Sequence, residues 1–293
     1  MIKALVTAGN GQLAQSLKDV VNHQDELDVD FQDLPDLDIT NTQQLESYFL
    51  KNEFDYCINC AAYTAVDLAE EQSDLAYAVN AEGPKYLAEV CQKHQVTLIH
   101  ISTDFVFDGQ KRIPYSETDM PNPLGVYGAS KWQGERYIQE VMQDYFIIRT
   151  SWLYTEYGNN FMKTMLRLSE IRDEISVVSD QIGVPTYAGD LAEVLIKIVL
   201  SSSKAYGLYH FSNFGAISWY DFAVEIFKQF GKTIEVKPIK TKDYSTAAKR
   251  PKCSVLDTTK IKNNFNCTIN DWQTSLNKIT KNNLNKKSNY IKQ

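Results

Sequence analysis

Apolar and polar positions change period in a regular order along the first 150 residues. Ile2-Lys3-Ala4-Leu5-Val6 is a short apolar run ending in small residues, which predicts a buried strand over 2–7. Helical spacing follows over 12–22, and a short strand is expected at 29–31. Thr40 and Gln43 are spaced as a capping box, which predicts a helix through Phe49. A third strand is expected at 56–59, then a long helix capped by Ser73 and running to about Lys93. Residues 96–101, 127–144 and 146–149 continue as strand, helix and strand. This alternation predicts an α/β fold: a doubly wound parallel sheet of Rossmann type. Ligands in such a sheet bind just beyond the carboxyl ends of the strands.

Beyond residue 150 the alternation loosens. Helices are expected at 160–169, 191–200, 218–230 and 272–279, and strands at 175–179 and 207–211. The expected organisation is a cofactor domain over 1–152, with 183–212 returning to it. A smaller C-terminal substrate lobe is expected from 153–182 and 213–283. The Lys- and Asn-rich residues 284–293 lack periodicity and read as a tail.

Composition narrows the class. The 293 residues are 43% hydrophobic and 23% charged, as in an ordinary globular protein. A net charge of -7 argues against a nucleic-acid partner, which needs a basic face. No run approaches the ~18 apolar residues of a membrane span. The first strand is entered without a charged leader. Five cysteines suit a reducing compartment better than a disulfide framework, so a cytoplasmic location is expected. Cys57 and Cys60 form a CxxC within a strand, where a spacing of three sends them to opposite faces; they read as core residues.

Three motifs carry chemistry. Thr7-Ala8-Gly9-Asn10-Gly11-Gln12-Leu13-Ala14 follows the first strand and opens a helix. Glycines there let the backbone approach a pyrophosphate at the helix N-terminus, although a simple tight turn has the same look. Ser102-Thr103-Asp104 closes the fourth strand, where a hydroxyl can polarise a carbonyl oxygen or merely cap a turn. Tyr127 and Lys131, four apart in a helix, share one face. A neighbouring ammonium is expected to draw the phenol's pKa down, so that the tyrosine exchanges a proton.

These motifs, with Asn59-Cys60-Ala61-Ala62-Tyr63-Thr64, Ser102-Thr103-Asp104-Phe105-Val106-Phe107-Asp108-Gly109, Arg149-Thr150-Ser151-Trp152-Leu153-Tyr154, Asp180-Gln181-Ile182-Gly183-Val184-Pro185-Thr186 and Arg250-Pro251, resemble the extended short-chain dehydrogenase/reductases, in their dTDP-4-dehydrorhamnose reductase (RmlD-like) branch. The resemblance runs from Leu5 to about Lys260. It implies NAD(P)H-dependent reduction of the C4 keto group of a dTDP-sugar, dTDP-4-dehydro-L-rhamnose, by a monomer or homodimer. It implies Tyr127 as proton donor, Thr103 as the polarising hydroxyl, and Lys131 as the residue that holds the nicotinamide ribose. Gly11, Gln12 and Leu13 are implied at the pyrophosphate, Asp38 and Ile39 at the adenine, and Ala62, Tyr63 and Thr64 on the ribose side, with Gly9, Asn10 and Ala61 also counted as cofactor-binding. Thr103, Asp104 and Trp152 are implied at the substrate. The family's outer glycines are Ala8 and Ala14 here, and Gln15 and Ser16 replace a first-helix glutamate used for Mg2+ in some members, so no metal is expected.

The cofactor's 2′ position is read from local charge. Asp33 lies 22 positions beyond Gly11, and no Lys or Arg occurs from Asp19 through Leu50. A carboxylate there suits a free 2′-hydroxyl and repels a 2′-phosphate, favouring NADH over NADPH. Two other functions remain open: a reductase of another nucleotide-linked 4-keto deoxysugar, and a non-catalytic NAD(P)-binding regulatory subunit. The complete Thr103, Tyr127 and Lys131 set weighs against the latter.

Overall fold

The computed structural model describes residues 1–290, with side chains as far as Lys281. Its first half is β1 (Ile2–Thr7), α1 (Gln12–Val21), β2 (Leu27–Phe31), α2 (Thr42–Lys51), β3 (Tyr56–Asn59), short helices α3 (Val66–Ala69) and α4 (Ser73–Tyr77), α5 (Gly83–His94), β4 (Thr97–Thr103), α6 (Val126–Val141) and β5 (Tyr145–Thr150). There follow β6 (Leu153–Tyr154), α7 (Phe161–Leu168), β7 (Glu174–Val178), β8 (Ile182–Gly183), β9 (Thr186–Tyr187), α8 (Ala188–Ser201) and β10 (Gly207–His210). The chain continues through β11 (Ile217–Ser218), α9 (Trp219–Gln229), β12 (Glu235–Ile239), α10 (Thr259–Phe265) and α11 (Trp272–Tyr290).

Among the described residues the main sheet has six parallel strands in the order β10-β5-β4-β3-β1-β2. Both faces are covered, so strands such as β1, buried from Ala4 to Thr7, are apolar without alternation. On one face Leu13 and Leu17 of α1 pack with Leu191, Leu195 and Ile198 of α8. On the other Leu45 of α2, Leu87 of α5 and Ile138 of α6 close the core. Chain order reverses at β1, which lies between β2 and β3, and the crevice there opens beside the glycine turn.

The smaller lobe packs α7, α9 and α11 on the parallel pair β7 and β12, around Met162, Phe222, Ile226 and Leu276. Return to the main sheet begins with α8 at Ala188 rather than at 183. The intervening β8 and β9 pair with β11 and β6, outside the sheet. Residues 284–290, expected as a tail, continue α11, since neither Gly nor Pro follows Trp272 to stop it; 291–293 lie outside the described residues.

Two local readings are corrected. Asn41, not Thr40, caps α2, its side chain accepting Gln44 N–H at 3.0 Å, while the Thr40 hydroxyl donates to Asp38. The helix expected over 73–93 is interrupted by a π-helical turn, Ala78–Glu82. That turn presses the Asn80 backbone onto α6, where a Cβ at Gly134 would stand 2.2 Å from the Asn80 carbonyl oxygen. Asn80 itself turns inward and bonds the Tyr63 N–H, the Tyr63 carbonyl and the Ser130 hydroxyl. The wide turn thus ties the loop after β3 to the helix that carries Tyr127.

Candidate active site

The glycine turn is shaped by its neighbours. Gly9 lies against β2, where a Cβ would stand 3.0 Å from the Phe31 carbonyl carbon, so a side chain there would crowd that approach. Ala8 adopts φ 51, the left-handed region, at a position where glycine is free of strain. Gly11 is the N-cap of α1 with no side-chain cap, and the first turn holds no acidic residue. The amides opening α1 are therefore left for an anionic ligand, which is the chemistry of a dinucleotide pyrophosphate.

At the far side of the same cavity, β4 ends in Thr103, paired in register with Thr150 of β5. Gly128 lets α6 approach that strand end closely: a Cβ there would stand 2.1 Å from the Phe105 carbonyl oxygen. This contact brings the first turn of α6, and Tyr127 with it, beside Thr103. The Tyr127 ring packs edge-on against Phe105 at 5.5 Å. Lys131, one turn on, donates to the Ile101 carbonyl at 2.7 Å.

A cavity of about 670 Å³ joins the two sides. Asn10, Gly11, Gln12, Leu13, Ala62, Thr64, Thr103, Asp104, Tyr127, Lys131 and Trp152 all contribute to its wall. Gly9, Asp33, Asp38, Ile39, Ala61 and Tyr63 are not part of its wall. The Asp33 carboxylate accepts Asn10 N–H and Leu34 N–H, each at 2.8 Å. Asp38 is taken up by Thr40, and Ile39 is buried where a Cβ at Gly83 would stand 2.7 Å from it. Ala61 N–H bonds Asn59, and the Tyr63 hydroxyl donates to Gln72.

Burial sets the site's ionisation. Desolvation pushes the Tyr127 phenol up to about 12, against a lowering by the Thr103 hydroxyl. Lys131 is pulled down to about 8 by burial, so the expected lowering of the phenol by the lysine is not how this site is built. Tyr127 is thus held as the protonated phenol. Asp104 is raised to about 7 by burial. Its Oδ2, and the Thr150 hydroxyl, are buried without a partner among the described residues, and both residues line the cavity. Buried polar groups without a protein partner that line a cavity fit a polar ligand. The uncapped helix and these two groups together suit a dinucleotide and a polar substrate.

Trp152, implied at the substrate by the resemblance, is on the wall, and its neighbours Trp219 and Phe161 there escaped the reading of the sequence. Trp152 has φ 46 and its indole stacks on Trp219 at 3.5 Å, while Phe161 leans on Trp219 at 4.5 Å. Both tryptophans and Arg250 also face an apolar cavity of about 470 Å³ lined by Met165 and Val177. Arg250 forms a two-point ion pair with Asp67, at 3.0 and 2.6 Å. Cys60, read as a core residue, lies on the cavity wall. The signals present were the Arg250-Pro251 pair, and for Trp219 the Ser218-x-x-Asp221 capping box, which the structure contains. Among the described residues no group of three or more His, Cys, Asp or Glu side chains is arranged to hold a metal ion.

A family model described as the RmlD substrate binding domain matches residues 2–285. The dTDP-4-dehydrorhamnose reductase of Aggregatibacter actinomycetemcomitans is 46% identical over 289 residues, covering 95% of this chain and 98% of that one. Among solved structures, a dTDP-4-dehydrorhamnose reductase from Clostridium acetobutylicum superposes with a TM-score of 0.91 at 42% identity, covering 95% and 98%. The Bacillus anthracis dTDP-4-dehydrorhamnose reductase, solved in complex with NADP, gives 0.92 at 41% identity, covering 95% and 99%.

Proposed function

The chain belongs to the RmlD substrate-binding-domain family, and from that premise we propose that it is an oxidoreductase that uses NAD(P)H to reduce the C4 keto group of dTDP-4-dehydro-L-rhamnose. The observation that carries this reading is one cavity in which Thr103, Tyr127 and Lys131 face the uncapped start of α1. The product of this reaction, dTDP-L-rhamnose, is a building block of surface polysaccharide.

Asn10, Gly11, Gln12 and Leu13 hold the pyrophosphate of the cofactor, and Ala62, Thr64 and Lys131 its nicotinamide half. When bound, NAD(P)H supplies a hydride to the carbonyl carbon. The protein's own groups manage the oxygen. The Thr103 hydroxyl donates to the carbonyl oxygen and stabilises the charge that develops there. Tyr127 Oη–H transfers its proton to that oxygen, and a phenol held protonated by burial is suited to this direction. Asp104 and Trp152 orient the sugar, and the cofactor lobe over 1–152 is completed by α8 and β10. Among the described residues no helix is long and apolar enough to cross a membrane, and we place the reaction in the cytoplasm.

Purified protein, incubated with dTDP-4-dehydro-L-rhamnose and NADH or NADPH, is expected to oxidise the cofactor and to yield dTDP-L-rhamnose by NMR. Consumption with a different C4 epimer would identify a sister reductase. Cofactor binding without consumption would identify a regulatory subunit.

A further inference from the structure

The Trp152 backbone sits in the left-handed region, at φ 46, where a bulky side chain is strained. Such a conformation persists only where its surroundings over-determine it. Here both flanks are tied to one segment of the chain. The Ser151 hydroxyl donates to the Val184 carbonyl at 2.8 Å, Thr186 N–H donates to the Trp152 carbonyl at 3.2 Å, and Leu153 pairs with Thr186. The indole lies on Gly183 of the same segment, where a Cβ would stand 2.5 Å from Cε2 and 2.7 Å from Nε1.

A second contact comes from the smaller lobe. Trp219 opens α9, and its ring stacks on that of Trp152 at 3.5 Å and 8°. Pairing of β8 with β11 sets Ile217 opposite Gly183, which brings the start of α9 to the indole. The capping box fixes that start, with Asp221 N–H donating to the Ser218 hydroxyl at 3.1 Å. Phe161 supports Trp219 at 4.5 Å and stacks in turn on Phe222 of the lobe's core at 5.7 Å.

The stacked pair stands at a boundary. Phe105, Trp152, Phe161, Trp219 and Arg250 line both the cavity that holds Thr103 and Tyr127 and the apolar cavity of about 470 Å³ beside it. An indole freed from its stack has that apolar space to turn into. We propose that Trp219 is a positioning residue that acts through Trp152: with Gly183 it locks the indole as a fixed partition between the two cavities. The consequence rests on the reductase reading, in which Trp152 orients the sugar. A sugar held on a fixed ring plane keeps its carbonyl in reach of Tyr127 and Thr103, whereas a mobile indole must be ordered at the expense of binding. The glycine turn is remote from this partition, so cofactor binding is independent of it.

Labelling with 5-fluorotryptophan gives one fluorine resonance for each of the four tryptophans, and Trp152→Phe identifies that of Trp152. In the ligand-free protein the Trp152 resonance is expected to be single and sharp. Trp219→Leu should broaden or split it, and Trp219→Phe, which keeps a ring, should restore one line. A single sharp Trp152 line in folded Trp219→Leu overturns the proposal. If that variant does not fold, Gly183→Ala tests the other contact: its methyl group displaces the indole, and an unmoved Trp152 resonance overturns the proposal. In kinetics, Trp219→Leu should raise KM for the dTDP-sugar about three- to tenfold, with most of the loss recovered in Trp219→Phe. The dissociation constant of the cofactor should be unchanged; an equal loss of cofactor affinity would mark a general structural defect and overturn the proposal. The fluorine readout uses neither substrate nor cofactor, so a wild-type protein that fails to turn over the dTDP-sugar sinks the reductase reading alone.

Discussion

The Asp33 carboxylate accepts the backbone N–H of Asn10 at 2.8 Å, tying the end of β2 to the middle of the glycine turn. Its other oxygen accepts Leu34 N–H, so the carboxylate is a fixed negative charge beside the turn and also a structural clamp on it. Lys18 of α1 stands with its Nζ 5.1 Å from the centre of the Phe31 ring.

Cofactor preference follows from that charge. kcat/KM for NADH is expected to be at least comparable with that for NADPH. Asp33→Asn, which keeps an acceptor and removes the charge, should shift preference toward NADPH. Asp33→Ala should shift it similarly but also weaken both cofactors, because the Asn10 clamp is lost. Steady-state kinetics on the three proteins checks this, and a strong wild-type preference for NADPH would refute it.

Tyr127→Phe removes the proton donor and leaves the ring on Phe105 in place. Turnover is expected to fall about 10²- to 10⁴-fold, the usual contribution of general acid catalysis. Cofactor binding, followed by fluorescence titration, should be little changed. Retained turnover would remove Tyr127 from the mechanism.

Ala8 is held at φ 51 where a side chain is strained by roughly 1–2 kcal/mol. Glycine relieves that strain but adds backbone freedom to the unfolded chain, worth about 0.5–1 kcal/mol in the opposite direction. Ala8→Gly is therefore expected to stabilise by up to about 1.5 kcal/mol, measured as a higher urea midpoint with an unchanged slope. A lower midpoint would show that the turn is not strained at this residue.

Asp104 gives stability a pH dependence of known sign. Its folded pKa is about 7, above the ordinary 3.8. The folded protein thus keeps a proton that the unfolded chain has released. This contribution is present below about 4 and is lost as pH rises to about 7, with a slope of up to about 1.4 kcal/mol per pH unit. His100 and His210, both held below their ordinary 6.5, act in the opposite sense and cost stability as pH falls below that value. Asp104→Asn should therefore be more stable than wild type above pH 7, and the difference should shrink toward about 4. Chemical denaturation of both proteins across this range checks it; a constant difference would mean that Asp104 is ionised in the fold.

The reading of the first 150 residues carried most of the sheet because its determinants are local. Apolar runs of strand length, helical spacing between them, and a glycine turn directly after β1 follow from neighbouring residues alone. The same holds for Tyr127 and Lys131, which share a face because four residues make about one turn. Where a local rule was applied one residue out, as with Thr40 for Asn41, the competing partner was also nearby: Asp38 takes up the Thr40 hydroxyl.

What the sequence could not contain was anything decided by a partner far along the chain. The π turn that seats Asn80 exists because α6 presses on it through Gly134, more than fifty residues later. Asp67 meets Arg250 only when the C-terminal lobe folds back over the loop after β3. The sense of the pKa shifts belongs here too. From spacing alone Lys131 promised to lower the phenol, but the depth of burial, a property of the whole packing, raises Tyr127 and lowers Lys131 together. The sequence by itself determined which groups were present and on which element each stood. Tertiary structure decided how dry they are and which hydrogen-bond partner each one faces, and those two quantities set a proton's position.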